Sequence, residues 1–313
     1  MTTTFLDIVK NCDNFPYPNE KVDEEENLMH SAVPLLLNNV KIGLIPKTTI
    51  SALKKYNEQH KKPCPFIIED TFVTFASHLN TFEERTQVIK NLLITWREEK
   101  AFPALKGWRD ELYPVYGPSN NMAFVIERSA APLFGVLTFG VHLSAYIRTP
   151  DGNFKMWIAK RSKTKTTWPG YLDNTVAGGI TYMLSASETV VKEAMEEASL
   201  PAEIAEKAVP VGALTYFIVT KNGLQPEAEY VYDLELPIDV KPKPLDGEVE
   251  CFYLWDIDEV KNHILADEFK PNCALVIIDF MIRHSIIKPE NEPSYLEILS
   301  RLHRRFEFPA PSF

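Results

Sequence analysis

A glycine pair followed by an acidic helix is the feature that most restricts what this chain can fold into. Gly178 and Gly179 end a short strand-like run, and the helix predicted after them carries Glu193, Glu196 and Glu197. Residues 185–188 read SASE, which can form a capping box at the start of that helix, and a proline at position 201 marks its end. Because glycine lets the backbone come close to a ligand, this order of elements indicates a binding loop.

The predicted helix is amphipathic. At about 100° per residue, the three glutamates are expected to lie opposite an apolar face. The residues of that apolar face are Val191, Ala194, Met195 and Ala198. A solvated acidic surface is the simplest explanation of such a charge run. However, like charges three and four residues apart each cost a few tenths of a kcal/mol, and a divalent cation would neutralise them. The pattern therefore favours a magnesium site beside a diphosphate.

Size, charge and cysteine spacing exclude several classes of protein. The 313 residues suffice for one large core or two ordinary ones, and the net charge of -10 argues against nucleic acid or an anionic membrane as the main partner. No signal peptide is recognised, and the most apolar run, residues 274–282, is too short to span a bilayer. The four cysteines and seven histidines show no zinc spacing. A reducing, cytoplasmic setting is expected.

Two domains are predicted. Residues 1–130 read as a smaller mixed α/β domain, in which residues 80–83 are expected to cap a helix. Residues 131–313 form the second domain, with a hairpin turn at 149–153 and helices at about 272–284 and 295–305. Because strands and helices mix without a regular βαβ rhythm, the fold class is α/β (α+β), a compact sandwich rather than a doubly wound sheet.

At the acidic helix the chain resembles the Nudix hydrolases, whose sequence box reads G-x5-E-x7-R-E-U-x-E-E-x-G-U, with U a bulky aliphatic residue. Residues 192–200, KEAMEEASL, match its second half. Lys192 replaces the arginine, Ala194 the aliphatic residue and Ser199 the late glycine, while Leu184 or Ser185 stands at the early glutamate. The resemblance implies an α/β/α sandwich with a mixed sheet and an enzyme that hydrolyses phosphoanhydrides.

A closer resemblance covers nearly the full length of the chain. Residues 5–16, 107–116, 172–179 and 270–274 are similar to a fungal and plant Nudix subgroup that carries an extra N-terminal domain. That subgroup resembles the Nudix part fused to thiamine pyrophosphokinase in some fungi, and a shortened glycine loop is common in it. The resemblance implies hydrolysis of thiamine diphosphate, or of its oxo and oxy damaged analogues, to the monophosphate.

The resemblance also implies a metal site. Glu193, Glu197 and Glu196 would bind Mg2+, with Mn2+ as an alternative, and backbone carbonyls near Ala177 and Gly178 would complete the shell. The general base would be Glu193 or a carboxylate from a later loop. The later candidates are Glu227 and Glu229.

Phosphate contacts are expected from the basic loop and the glycine pair. Arg161 is the preferred clamp, because a guanidinium can engage two oxygens at once. The further residues expected near the phosphates are Lys163, Lys165, Gly178 and Gly179. Three aromatic residues could stack on a heteroaromatic base, although a place in the core is more common for such side chains. They are Trp157, Trp168 and Tyr182.

Three other functions stay open. The first is hydrolysis of another diphosphate, such as ADP-ribose, a nucleotide sugar or coenzyme A. The second is a catalytically inactive ligand-binding module, suggested by the departures from the box. The third, diphosphate isomerisation, would need a cysteine at the site, and none of the four lies near the box in sequence. The N-terminal domain is expected to shape the pocket, to mediate a homodimer, or both.

Overall fold

Two sheets, each with its own core, organise the computed structural model, which describes residues 3–17, 20, 32–59 and 63–311. The smaller sheet contains β1 (Val33–Leu37), β2 (Val40–Ile45), β3 (Phe66–Ile68) and β4 (Val73–Phe75). Its order is β2-β1-β4-β3, with β1 and β4 parallel. Helices α2 (Lys47–Gln59) and α3 (Phe82–Glu98) pack apolar side chains into its core.

The capping box of α3 lies one residue later than predicted. Thr81, not Asn80, is the N-cap, because its hydroxyl accepts the backbone N–H of Glu84 at 3.2 Å while the Glu84 carboxylate accepts the Thr81 N–H. A hairpin of β5 (Leu112–Tyr116) and β6 (Met122–Glu127) and the short α4 (Ala131–Phe134) share the core of this smaller sheet.

The larger sheet has seven strands. They are β7 (Thr138–Arg148), β8 (Phe154–Arg161), β9 (Leu172–Asp173), β10 (Val176–Gly179), β11 (Val209–Thr220), β12 (Gly223–Glu235) and β13 (Val249–Asp256). The order is β11-β12-β7-β8-β13, with β10 on β7 and β9 on β8. The parallel pair β7–β12 makes the sheet mixed, and the predicted turn at 149–153 joins β7 to β8.

Helices cover both faces of the larger sheet. Helices α5 (Ala186–Ala198) and α6 (Ala202–Ala205) lie on one face, over apolar side chains such as Val141 and Leu143. On the other face lie α1 (Phe5–Cys12), α7 (Ile257–Leu265), α8 (Pro271–Arg283) and α9 (Tyr295–Leu302). The predicted α/β/α sandwich with a mixed sheet is confirmed, although α9 ends three residues before the predicted end at 305.

Helix α1 packs away from the segment that follows it in sequence. Its residues Phe5, Ile8 and Val9 enter the same core as α8 and α9, whereas the elements between Val33 and Phe134 build the other core. The first helix of the predicted N-terminal domain, residues 1–130, therefore packs against the larger sheet and not against the rest of that domain. Within the described residues, no helix is both long and apolar enough to cross a membrane.

Candidate metal and anion site

The glycine pair and the acidic helix lie side by side. Strand β10 ends at Gly179, and α5 begins after the N-cap Ser185, whose hydroxyl accepts the backbone N–H of Glu188 at 3.2 Å. The predicted capping box at 185–188 is thus present, and the Glu188 carboxylate serves it by accepting the Ser185 N–H. The helix ends at Ser199, which has a left-handed backbone with φ 52°.

The predicted division of α5 into an apolar and an acidic face is wrong in part. The buried stripe consists of Thr189, Val190, Ala194, Glu197 and Ala198, whereas Met195 is 44% exposed. The cause is the glycine strand beneath the helix. A Cβ atom on Gly178 would lie 2.5 Å from Cγ of Glu193, so the missing side chain makes room for a carboxylate between helix and sheet.

The structure separates the three predicted metal ligands. Glu197 is buried and accepts the backbone N–H of Ala177 at 3.3 Å, and the Glu193 side chain is only 19% exposed. Glu196 points outward, with its side chain 51% exposed and an oxygen 2.7 Å from Nζ of Lys192. Glu193 and Glu197, one helical turn apart, therefore form an inner acidic pair, and Glu196 lies at its rim.

Burial puts the acidic pair under electrostatic stress. Burial, together with the charges of the neighbouring carboxylates Asp173 and Glu193, raises the pKa of Glu197 to about 8. Burial also raises the pKa of Glu193, against the opposing effect of Lys192. Two buried carboxylates beside a glycine backbone are a donor set that fits a hard divalent cation, because oxygen ligands and a close approach are what such an ion requires.

Two further carboxylates reach Glu197, one member of the acidic pair, from a distant loop. One oxygen each of Glu197, Asp246 and Glu248 lie within 4.8 Å of one another. Asp246 and Glu248 precede β13, so no spacing in the sequence connects them to the helix. Lys165 reaches the same place, because its ammonium pairs with Glu248. Burial lowers the pKa of Lys165 to about 8, although the charge of Glu197 opposes this shift.

Arg161, the preferred phosphate clamp, is already engaged. Its Nη1 lies 2.5 Å from Oδ2 of Asp173, and its Nε and Nη2 donate to the backbone carbonyls of Trp168 and Thr167 at 3.1 and 2.9 Å. It is buried and holds the loop between β8 and β9 in place. Lys163 is exposed on that loop. Phosphate binding by Arg161 and Lys163 stays a prediction, and the geometry adds Lys165 from the same loop, because it pairs with Glu248 beside Glu197.

The N-terminal segment approaches the glycine pair from the other side. A Cβ atom on Gly179 would lie 1.7 Å from the hydroxyl oxygen of Tyr113, so the β5 tyrosine packs directly on this glycine. Arg128 lies over the Tyr113 ring at 5.5 Å and pairs with Glu111 at 2.8 Å. Arg109 donates through Nη2 to the hydroxyl of Thr166 at 3.3 Å. None of these contacts could be inferred from the box.

The two later base candidates lie within β12, not in a loop as predicted. The Tyr216 hydroxyl contacts both of them, at 2.6 Å from Glu227 and 3.0 Å from Glu229. Burial together with the charge of Glu229 raises the pKa of Glu227. Burial would also raise the pKa of Glu229, but His142, whose Nε2 lies 3.7 Å away, outweighs it and lowers this pKa.

The aromatic residues and the cysteines occupy core or peripheral positions. Trp157 is buried in the core under α5, Trp168 is 39% exposed on the basic loop, and the Tyr182 ring lies 5.8 Å from that of Phe82. Cys273 is the thiol nearest the site. It is fully buried and donates to Asp173 at 2.7 Å, which directs it into the protein.

Two surface cavities lie outside the inner acidic pair. One of about 510 Å³ runs along the outer side of α5, past Lys192 and Glu196. Another of about 430 Å³ lies near the ion pair of Arg283 and Asp233. The inner acidic pair instead borders charged side chains: Lys192 lies 3.4 Å from Glu193, and Lys165 pairs with Glu248 beside Glu197.

Comparison with known proteins gives three findings. A family model described as a domain of unknown function, DUF4743, matches residues 4–138. An uncharacterised protein of Saccharomyces cerevisiae is 37% identical over 327 residues, which cover 98% of this chain and 92% of that protein. Among solved structures, an Ap4A hydrolase of C. elegans gives a TM-score of 0.36 at 13% identity, covering 48% of this chain and 99% of that chain.

A plant relative decides the family. Nudix hydrolase 20, chloroplastic, of Arabidopsis thaliana is 38% identical over 280 residues, which cover 87% of this chain and 73% of that protein. The match extends far beyond the box, and the glycine strand followed by a capped acidic helix is present in the structure. The chain therefore belongs to the Nudix hydrolase family.

Proposed function

We propose that this protein hydrolyses the phosphoanhydride bond of a small-molecule diphosphate, with a divalent cation held by Glu193 and Glu197. The observation that carries this proposal is the burial of both carboxylates against the glycine strand, where their charges repel each other. Mg2+ is the proposed ion and Mn2+ the alternative. When bound, the ion would neutralise the diphosphate and activate a water for attack on phosphorus.

The chain's own residues position the reactants. The absence of a side chain at Gly178 lets its backbone come within reach of Glu193 and of a ligand. Glu197 is fixed by the Ala177 N–H, and Asp246 and Glu248 add negative charge beside it. Glu196 and Lys163 stay candidates for a third ligand and a phosphate contact.

Glu229 is the better of the two later base candidates. A proton acceptor must be ionised at the working pH, and the lowered pKa of Glu229 favours the ionised form whereas the raised pKa of Glu227 disfavours it. One oxygen of Glu229 has no hydrogen-bond partner among the described residues and lies against Gly140, the residue paired with Gly179. Glu193 stays the alternative base.

Thiamine diphosphate, or its oxo and oxy analogues, is the proposed substrate, and the resemblance to the fungal and plant subgroup supports it. The decisive measurement is the release of phosphate and monophosphate from a panel of thiamine diphosphates, ADP-ribose, a nucleotide sugar and coenzyme A, with Mg2+ present and then chelated. We expect the highest kcat/KM for a thiamine diphosphate, and no turnover in chelator. A clear preference for ADP-ribose would refute thiamine diphosphate as the substrate, but the proposed diphosphate hydrolysis would still stand.

A ligand-binding module without hydrolysis is the second candidate. The observation in its favour is the ion pair between Lys165 and Glu248, which lies next to Glu197. The ammonium of Lys165 would compete with the proposed cation for these carboxylate oxygens. Substrate binding without product release in the same panel would support it. A reducing, cytoplasmic setting and a homodimer also stay proposals. The four free cysteines are compatible with the former.

A further inference from the structure

We propose that Arg109, which the segment before β5 carries, binds the anionic part of the substrate at the Nudix site. The N-terminal segment would then supply a binding residue as well as a scaffold, and the substrate would be held between it and α5. This inference rests on the proposed function, because the anion concerned is the diphosphate.

The Arg109 backbone is held firmly next to the site. Its N–H donates at 3.0 Å to Oε1 of Glu127, a residue that is only 2% exposed. Glu127 ends β6, whose partner strand β5 carries Tyr113 onto Gly179. The guanidinium in turn reaches Thr166, on the loop that carries Lys165. A single connected structure therefore places Arg109 between the glycine pair and the basic loop.

Four positive charges converge at this point. Burial lowers the pKa of the Arg109 guanidinium, and the charges of Arg128 and Arg161 lower it further. The charges of Arg161 and Arg109 act in the same direction on Lys165, after burial. A chain with a net charge of -10 has many carboxylates with which to neutralise such a cluster. The cluster of cations would attract an anion, and the acidic pair beside it would attract a metal ion. The two together therefore fit a ligand that combines an anion with a metal.

Arg109 differs from its basic neighbours because it lacks a carboxylate partner. Arg161 pairs with Asp173 and Arg128 with Glu111. Lys165 pairs with Glu248. Within the described residues, no carboxylate lies within ion-pair distance of Arg109, and its side chain makes one hydrogen bond, to a neutral hydroxyl. A guanidinium has five N–H donors in a planar fork, so most of them are free for phosphate oxygens.

The test measures binding of methylenediphosphonate, a diphosphate analogue with a bridge that cannot be hydrolysed, to the full chain in Mg2+ by calorimetry. Arg109→Gln is expected to raise Kd about tenfold or more, since charge-assisted bonds to phosphate are lost. Lys106→Gln is the matched control, because it removes one positive charge from an exposed position three residues away. It should leave Kd within about twofold.

A second variant separates binding from positioning. Thr166→Val removes the bond that ties Arg109 to the basic loop but keeps the charge. Weaker binding in Arg109→Gln with near wild-type binding in Thr166→Val supports the proposal. An equal loss in both variants, or no loss in Arg109→Gln, overturns it, and hydrolysis by the wild type in the substrate panel would then show that the proposed function still stands. A wild type that neither binds the analogue nor hydrolyses any diphosphate removes both.

Discussion

Two buried glutamates on opposite sides of the paired strands β7 and β10 have opposite electrostatic environments. On the α5 side, burial and the neighbouring carboxylates together raise the pKa of Glu197 to about 8. On the α8 side, His142 and Lys270 overcome the effect of burial and lower the pKa of Glu229. On the α8 side, side chains of the protein itself supply the positive charge that the buried carboxylate needs. On the α5 side, they neutralise the carboxylates only in part.

This difference indicates that the α5 side is the one suited to bind a cation from solution. A buried carboxylate without a full counter-charge is costly, and a bound cation would offset this cost. On the α8 side the compensation is permanent, so Glu229 can stay ionised whether or not a ligand is bound. The comparison therefore supports the proposal of metal binding on the α5 side and proton transfer on the α8 side.

Replacing Glu197 on the α5 side should have the largest effect, and that effect is on turnover. Glu197→Gln is expected to lower kcat by about 10²–10³-fold, because a charged group next to the reacting phosphates is lost. Glu196→Gln is the matched control on the same helix. Its carboxylate is half-exposed and bound to Lys192, so a change of less than about threefold is expected. Steady-state rates in Mg2+ with the best substrate of the panel measure both.

Thermal unfolding in chelator shows whether Glu197→Gln keeps its fold. A neutral amide in place of a buried carboxylate should unfold at a temperature no lower than the wild type. Near wild-type turnover of the folded variant would eliminate Glu197 as a metal ligand. Equal losses in the Glu196 and Glu197 variants would show that the rim and the inner pair act together.

Replacing His142 tests the permanent compensation on the α8 side. Burial would lower the pKa of His142, but the charge of Glu229, 3.7 Å away, and the neighbouring thiol of Cys273 raise it to about 10 from 6.5. Because the folded value is the higher one, charged His142 stabilises the fold fully below pH 6.5, and this contribution is lost as the pH rises through about 10. His142→Gln should cost about 3 kcal/mol at pH 6, since it leaves a buried carboxylate unpaired.

The pH profile distinguishes this effect from a general packing defect. Urea unfolding of wild type and variant at several pH values should show a stability difference that shrinks between pH 6.5 and 10. A difference that is constant over this range would mean that His142 is neutral in the folded protein. Glu229 would then lack the cation that the comparison assigns to it.

The sequence predicted the acidic side better than the basic side, for a physical reason. The glycine pair, the capping box and Glu193 and Glu197 belong to one local unit, in which helical periodicity and turn chemistry determine the geometry. Even there, the predicted apolar and acidic faces of α5 were wrong in part, because periodicity does not reveal that a glycine strand accepts a carboxylate at Gly178. The turn at 149–153 and the helix at about 272–284 followed from the same local patterns.

The basic side depends on contacts between residues far apart in sequence. Arg109 and Thr166 are 57 residues apart, and Lys165 and Glu248 are 83 apart. No local pattern specifies such pairs, since they result from how the two sheets pack. For the same reason Arg161 looked free in the sequence, although Asp173 and two carbonyls occupy its donors.

The smallest expected effect tests the junction where the N-terminal segment meets the glycine strand. Gly179→Ala would place a Cβ atom 1.7 Å from the Tyr113 hydroxyl, an overlap that forces β5 and β10 apart. We expect a loss of about 1–3 kcal/mol in unfolding free energy, as for other overpacked sites. Gly107→Ala is the matched control, because nothing lies within 4 Å of its Cβ position.

Adding Tyr113→Ala should restore part of the stability lost in Gly179→Ala, since the two changes share one contact. If the double variant loses the sum of both single effects, Tyr113 and Gly179 do not touch in solution, and the route by which the N-terminal segment places Arg109 beside the site is lost with that contact.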